Sequence, residues 1–398
     1  FYVMSILNLN KNSFTVDDRI WESINDCILP DKKEEDWRYM KWGKLKKLEF
    51  HGDFPNQTEN LSELNLPKLT GPIIVIENGT LNEKLSSIPN HKELIITFDN
   101  DDISFQKSSY FDSLNNLLVS EYLNIKVREN HASKECINIV NILSSSNGFV
   151  NSRIAFKIAK NANISVNQFF IKSNNTANGL LNHQNLIQLE EHSGITINKY
   201  QDTDNNFQFC KDVVNQKNES KYISNNFSSS GKVIRNDIQV KVEGEHCHTE
   251  LNGIFSPSNN EFIDNHTLID HIYPNCKSYE NYKGLIKSNG VGVFNGKVIV
   301  EQDAQQIEAY QQNNNILLDE DAIIYSKPEL EIYADDVKCS HGSTTGQFDD
   351  EALFYLRSRG LSRASALQHL TLGFVNEIID TIKDENHKDF ILNKILAN

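Results

Sequence analysis

The most concentrated set of chemically capable side chains lies near the C-terminal end of the chain, around Cys339 and His341. The two residues are two positions apart, so on a β-strand their side chains project from the same face. A thiolate beside an imidazole suits a soft transition metal or an iron–sulfur species, and the thiolate could also act as a nucleophile. On spacing alone, a buried cysteine beside a hydrogen-bonded histidine is the simpler explanation. The neighbouring Asp335 and Asp336 point to opposite faces of a strand, which makes them a poor acid–base pair.

Other histidines and cysteines are less suggestive. The His-Cys-His run at residues 246–248 would place two imidazoles on one strand face, but two ligands are too few for a closed metal site. His266, His271 and Cys276 lie close along the chain, yet the directions of their side chains depend on the turns between them. We interpret both groups as structural.

Composition and missing motifs exclude several classes of function. The 54 acidic and 39 basic residues give a formal charge of -15, which opposes binding to a phosphate backbone, so nucleic acid is not expected as a partner. No stretch approaches the roughly 20 apolar residues of a bilayer span, and no export signal is recognised. We therefore expect a soluble protein of a reducing compartment without a membrane partner. The six cysteines form no CxxC pair. GxxxxGK[ST], GxGxxG, GxSxG and HExxH are also missing, so the residues predict neither nucleotide binding nor a complete catalytic site.

The central region that must position Cys339 has the hydrophobic period of β-strands. Apolar and polar residues alternate from about 123 to 343, for example at 154–158 and 238–242. The strands are short, interrupted by Asn, Gly and Ser, and no convincing amphipathic helix separates them. This pattern favours a sandwich, a barrel or a parallel β-solenoid over a βαβ architecture. Asn-rich corners suit a solenoid because Asn tolerates the left-handed turn conformation, although no strict repeat marks one.

Helical patterns flank this β body, so we predict three units: 1–122, 123–343 and 344–398. Ser109 can cap a helix in the first unit and Ser362 can cap one in the last. Residues 37–48 carry a weaker helical pattern. A helical pair at the end of a β body could hide a sheet edge or provide a docking surface for a partner.

Two segments carry a family resemblance. Residues 327–342 read KPELEIYADDVKCSHG, and residues 353–360 read LFYLRSRG. Both resemble the SufD family, a component of the SUF system for iron–sulfur cluster assembly. The resemblance is strongest over residues 260–380 and weak between about 125 and 230. SufB-type paralogues carry a run similar to Glu-His-Glu where this chain has Cys-Ser-His, so the resemblance favours SufD.

The resemblance implies a right-handed parallel β-helix flanked by N-terminal and C-terminal helical regions. It implies a non-catalytic subunit that pairs with a SufB-type paralogue through the β-helix and binds a SufC-type ATPase through the C-terminal helices, without binding nucleotide itself. It places His341 at the SufB interface with Cys339 beside it, where iron or a nascent iron–sulfur cluster would be held transiently and shared with the partner. The residues expected at the ATPase interface are Leu353, Phe354, Tyr355, Arg357, Arg359, Leu367, Leu370 and Phe374.

Two alternatives stay open from the sequence. A carbohydrate-active enzyme on a β-helix would need paired carboxylates on one outer face, and no spacing selects such a pair. A SufB-like scaffold would hold a cluster alone. We expect a cytoplasmic location, or the stroma of a plastid-type organelle. A homodimer of the isolated chain is also compatible with the sequence.

Overall fold

A computed structural model describes residues 7–52, 58–88, 92–100, 109–133, 135–173 and 176–397. It is 48% strand and 17% helix, and its strands form a β-solenoid of about eight turns with helices at both ends of the chain. The predicted fold class is confirmed, and the sandwich and barrel are excluded. The strands are β1 (Asn8–Leu9), β2 (Glu49–Phe50), β3 (Ile73–Glu77), β4 (Thr80–Leu81), β5 (Leu94–Asp99), β6 (Tyr122–Val127), β7 (Ile137–Leu143), β8 (Phe149–Ile158), β9 (Asn163–Lys172), β10 (Leu180–Leu189), β11 (Gly194–Gln216), β12 (Lys221–Val242), β13 (His248–Phe255), β14 (Phe262–His271), β15 (Lys277–Ile286), β16 (Val291–Val300), β17 (Ile307–Leu317), β18 (Ile323–Ile332) and β19 (Val337–Gly346). The α-helices are α1 (Asp18–Asn25), α2 (Tyr110–Leu118), α3 (Asp350–Ser358), α4 (Arg363–Ile379) and α5 (Glu385–Ala397).

The coils stack as two parallel sheets. In the C-terminal half, β13, β15, β17 and β19 follow one another in one sheet, and β14, β16 and β18 in the other. The length of a coil varies: the coil that separates the register partners Lys277 and Glu308 is longer than the one that separates Gly194 and Lys221. Because each coil can take a different length at its corners, the strands stay in register without a strict sequence repeat.

One corner of the solenoid depends on left-handed residues. Asn161, His192, Glu219, His246 and Asn275 all have φ between 56° and 62°, and each stands two residues before the first residue of a strand. Within the described residues, nine of the 15 non-glycine positions with positive φ are Asn. Asn adopts this conformation more readily than most residues because its short polar side chain can hydrogen-bond locally. The prediction that Asn-rich corners belong to a solenoid is confirmed.

The interior of the solenoid is mostly apolar but contains a buried ion pair. Lys199 Nζ lies 2.7 Å from Asp212 Oδ2, and both side chains are almost completely inaccessible to solvent. Asn185 Nδ2 donates a further hydrogen bond to Asp212 Oδ1 at 2.9 Å. Such a pair must recover the desolvation cost of both charges, so the loss of either partner is expected to be strongly destabilising.

The N-terminal region packs on the outer face of the solenoid through aromatic rings. Trp37 and Trp42 stack on each other and on Phe111, whose ring centroid lies 3.9 Å from that of Phe209 in β11. The guanidinium of Arg235 lies 3.9 Å from the Trp37 ring centroid, a cation–π contact. These contacts hold the N-terminal region against the outer face of the solenoid.

The predicted helix starts are largely correct. Ser109 accepts from the backbone N–H of Asp112 at 3.2 Å and caps α2, and Ser362 caps α4 in the same way. The weaker helical pattern at 37–48 is wrong: only Glu35–Trp37 forms a short 3₁₀ helix, followed by turns. Packing of both tryptophans into the aromatic stack outweighs a weak local preference for helix.

The C-terminal helices cover the outer face of the sheet that contains β13 and β15. Val375 and Ile378 of α4 and Ile391 of α5 are buried in one apolar cluster with side chains of these strands. Lys283 of β15 pairs with Glu377 of α4 at 2.7 Å. Helix α3, by contrast, has no buried residue. Across the described residues, none of the helices has the length and apolar character that a membrane span requires.

Candidate functional site

Cys339 and His341 lie on β19, the last strand of the solenoid. Their register partners on β17 are Ala309 and Gln311, which are buried with side chains toward the interior. Cys339 and His341 therefore continue the same inward-facing column by one coil. Cys339 is half-buried and packs against the interior apolar cluster, whereas His341 is exposed.

Within the described ranges the column ends at β19, since no further coil there covers it. The register pairs β18 with β16 and β19 with β17, and neither strand has a further partner of this kind among the described residues. Apolar side chains at this end, such as Ile332 and Tyr333, are exposed to solvent. We call this surface, formed by β18 and β19, the open end of the solenoid. It combines strand edges that have no further strand partner among the described residues with exposed apolar area.

Buried polar groups continue the column beneath His341. Gln311 Nε2 donates to Glu280 Oε2 at 2.6 Å, and Glu280 stands one coil further in, beside Gln311 in the register. Burial raises the pKa of Glu280 to about 7, because desolvation disfavours the carboxylate. Exposed His341 thus lies above a buried amide and a buried carboxyl group.

The donor set at the open end is small. Burial raises the pKa of the Cys339 thiol above its ordinary value, so the thiolate that would bind iron forms less readily than in water. In the part of the chain that the structure describes, no three His, Cys, Asp or Glu side chains are grouped so that they could hold a metal ion. Cys339 and His341 therefore offer two donors, and a complete coordination sphere needs others.

The residues expected at the ATPase interface do not all share one surface. Phe354 and Tyr355 are exposed on α3, and the guanidinium of Arg359 lies 5.2 Å from the Tyr355 ring centroid. Phe374 instead packs toward the solenoid, where Lys283 Nζ lies 5.3 Å from its ring centroid. Of the remaining residues, Arg357 is exposed, and Leu353, Leu367 and Leu370 are half-buried.

Three histidines of the less suggestive groups, His248, His266 and His271, have structural contacts. His248 is hydrogen-bonded to Glu250, His266 Nε2 lies 2.9 Å from Asp264 Oδ1, and His271 Nε2 lies 2.9 Å from Ser278 Oγ. None of them is part of a metal-binding group within the described residues.

The sequence interpretation missed one arrangement. The sequence predicts Cys247 and Cys276 as separate packing residues, but the stacking of coils brings both thiols to one acceptor: their Sγ atoms lie 3.3 and 3.1 Å from the carbonyl oxygen of Gly244. The two cysteines are as far apart along the chain as the register partners His248 and Lys277, which directly follow them. This sequence separation indicates stacking of the two cysteines only when the coil length is known.

Comparison with known proteins agrees with this architecture. A family model described as "SUF system FeS cluster assembly, SufBD core domain" matches residues 141–374. The iron–sulfur cluster assembly protein SufD of Escherichia coli K12 is 38% identical over 172 residues, which are 43% of this chain and 41% of that protein. An iron–sulfur cluster assembly SufBD family protein of Synechocystis is 26% identical over 380 residues, covering 89% of this chain and 84% of that protein.

A plant relative is also similar. Protein ABCI7 of Arabidopsis thaliana, whose name describes it as chloroplastic, is 33% identical over 183 residues, covering 46% of this chain and 38% of that protein. The alignments thus span about two fifths of the E. coli and Arabidopsis proteins. The segment matched by the family model includes β8 to β19, α3 and most of α4, and therefore the open end.

Proposed function

Because the chain belongs to the SufBD family of the SUF iron–sulfur cluster assembly system, we propose that it is a SufD-like subunit of a cluster assembly scaffold. In this role the open end pairs with a SufB-type paralogue, and the C-terminal helices bind a SufC-type ATPase. The subunit supports iron entry or nascent cluster assembly at the interface with the paralogue and is not itself the catalyst. The similarity to SufD of E. coli supports this choice over a SufB-like scaffold and a carbohydrate-active enzyme.

The uncovered last coil is the observation that carries the proposal. Exposed strand edges tend to pair with another chain unless they are covered or charged. Here β18 and β19, each ten residues long, have no further strand partner in the described part of the chain, and Ile332 and Tyr333 beside them are exposed. A second β-helix placed against this end would satisfy the free backbone groups and bury the apolar side chains. Pairing there would also enclose Cys339 and His341.

The chemistry expected at this interface follows from the two donors. A cysteine thiolate and a neutral imidazole suit iron and iron–sulfur species. The raised pKa of Cys339 opposes thiolate formation in the free subunit, while a bound cation favours it by direct coordination. The proposal is therefore that iron or a nascent cluster is cargo held only when the paralogue supplies the remaining ligands.

The ATPase contact is proposed on α3 and the exposed side of α4. Phe354 and Tyr355 are large exposed aromatic side chains on a helix with no buried residue, which is typical of a docking surface. The sequence contains no phosphate-cradling loop of its own. Lys283 connects α4 to β15 through Glu377, so a shift of α4 acts on the strands that lead to the open end. ATP-dependent motion can move the interface only if the ATPase states prefer different geometries of it.

The location is proposed to be cytoplasmic, or the stroma of a plastid-type organelle. The chloroplastic description of the Arabidopsis relative supports the second possibility.

Coexpression with the SufB-type and SufC-type proteins of the same organism, followed by affinity purification through this chain, tests the assembly. Tyr333→Glu places a charge at the open end, and Ile28→Glu places one on the N-terminal region at a similarly exposed position (60% and 58% exposed). We expect Tyr333→Glu to lose the SufB-type paralogue and retain the ATPase, and Ile28→Glu to retain both. Retention of both partners by Tyr333→Glu, or copurification of neither by the unmodified chain, contradicts the proposal.

The cluster role is tested separately with His341→Ala in the purified complex. Because the His341 side chain is exposed, its truncation leaves no cavity in the subunit, and the complex should assemble at the same yield. Iron–sulfur cluster formation, followed by visible absorption under anaerobic conditions, should fall. Unimpaired cluster formation in an intact complex removes His341 from the mechanism.

A further inference from the structure

Cys247 and Cys276 occupy equivalent places at one corner of successive coils. Each follows a left-handed residue, His246 or Asn275, and each directly precedes a strand. The backbone N–H of Lys277 donates to the carbonyl of Cys247 at 2.9 Å, so the two corners are stacked directly. Stacked strands of a sheet lie about 4.7–4.9 Å apart, and disulfides join Cα atoms about 4.4–6.8 Å apart. The backbone spacing at this corner is therefore compatible with a disulfide.

The two thiols also converge on one backbone acceptor. Cys247 Sγ lies 3.3 Å and Cys276 Sγ 3.1 Å from the carbonyl oxygen of Gly244. The neighbouring Cys276 thiol favours the Cys247 thiolate and lowers the pKa of Cys247 below its ordinary value. Both side chains are buried, and His246, which directly precedes Cys247, is exposed.

The buried cysteine on the opposite sheet has a different environment. Cys210 has amide partners, the side chains of Gln201 and Gln208. Burial raises the pKa of Cys210 to about 12. Two conditions favour disulfide formation. One cysteine must be a thiolate, which is the reactive form, and a second thiol must lie close enough to react with the sulfenic acid that the thiolate first forms. Among the buried cysteines of the described residues, the corner pair alone combines both conditions.

We propose that Cys247 and Cys276 are an oxidative modification site, a dithiol that reacts with hydrogen peroxide and closes into a disulfide between two coils. The Cys247 thiolate attacks one peroxide oxygen, the O–O bond breaks, and the departing hydroxide takes up the proton released by Cys247. The Cys276 sulfur then attacks the sulfenic sulfur; the S–S bond forms, the S–O bond breaks, and water leaves with the Cys276 proton. Two thiols and one peroxide give one disulfide and two waters. The product ties together the coils that begin at β13 and β15.

The test is a thiol count on the folded chain after exposure to hydrogen peroxide and its removal, with alkylation in denaturant. The unmodified chain contains six free cysteines, and we expect the count to fall from six to four and to return to six with dithiothreitol. Peptide mass mapping should find the fragments with Cys247 and Cys276 joined, with the loss of two hydrogens. A count that stays at six, or a disulfide that joins other cysteines, overturns the proposal.

Serine variants provide the controls. Cys247→Ser and Cys276→Ser should fold, because Ser193 and Ser220 already stand at the equivalent corner positions of preceding coils. Neither variant should form an internal disulfide, and Cys276→Ser should instead retain a sulfenic acid at Cys247 that dimedone traps. Cys210→Ser should still form the 247–276 disulfide and lose two thiols. Loss of the disulfide in Cys210→Ser, or its absence from both the unmodified chain and this control, refutes the assignment.

Discussion

Replacing Lys199 with methionine isolates the contribution of the ion pair inside the solenoid. Methionine fits a long, narrow interior position and leaves Asp212 without its cation, 2.7 Å away in the unmodified protein. Asn185 still donates to Asp212 at 2.9 Å, but one neutral hydrogen bond does not compensate a buried carboxylate. The loss of one partner from a buried pair typically costs about 3–5 kcal/mol.

An exposed ion pair of nearly the same length provides the matched control. Lys160 Nζ lies 2.6 Å from Glu191 Oε2, but these side chains are 49% and 45% exposed. Lys160→Met should destabilise the protein far less than Lys199→Met, because water screens the remaining carboxylate. The double variant Lys199→Met/Asp212→Asn removes both buried charges and keeps an acceptor for Asn185. It should recover most of the stability lost in Lys199→Met.

Urea unfolding followed by far-ultraviolet circular dichroism gives the free energies of unfolding. Solenoids can unfold in segments, so hydrogen exchange of the amides in β11 and β12 should accompany the bulk measurement. Equal destabilisation by Lys199→Met and Lys160→Met, or a double variant no more stable than Lys199→Met, would refute this role of the buried ion pair.

Three further predictions concern other parts of the molecule. Arg235→Met removes a 2.6 Å ion pair with Asp264 and the contact with Trp37, so chymotrypsin should cleave the N-terminal region faster; an unchanged rate contradicts this. Burial raises the pKa of the Cys339 thiol, so at pH 8 iodoacetamide should label Cys339 more slowly in the folded chain than in urea. An equal or faster labelling rate in the folded chain would contradict the raised pKa. The pKa of Glu280, about 7 in the folded protein, is above its unfolded value, so its contribution to stability is present below about pH 4.5 and lost as the pH rises through 7. As the pH rises from 5 to 8, the free energy of unfolding of Glu280→Gln should therefore increase relative to that of the unmodified chain, by up to about 3 kcal/mol. If the difference between the two proteins is the same at pH 5 and pH 8, Glu280 is already ionised in the folded protein at both pH values.

Several features could be predicted from the sequence because they depend on local rules. A two-residue spacing on a strand places Cys339 and His341 on one face wherever that strand lies. Ser109 and Ser362 mark helix starts because their hydroxyl oxygens accept from backbone N–H groups three residues on. Gly360 ends α3 with φ of 96°, a conformation that is costly for residues with a Cβ atom. Asn at the corners follows from the same backbone preference.

Other features depend on how the coils stack, and local patterns do not contain that information. The corner turns set coil lengths that vary along the solenoid, so the stacking of Cys276 on Cys247 becomes visible only when the register is known. The same stacking buries Lys199 against Asp212 inside the solenoid. Phe374 continues an apolar stripe on α4 but contacts Lys283 and the solenoid, because the helix packs along the sheet there.

Cys339 and His341 show most clearly which features follow from the sequence and which follow from the tertiary structure. Residue types and spacing by themselves determined a thiol and an imidazole on one face of a strand, and the surrounding motif indicated a family. Only the tertiary structure decided that this strand is the last one, with a free edge and no covering coil among the described residues. The physical reason is that a strand's pattern records which face is buried, whereas its exposure at an end depends on whether another coil follows it.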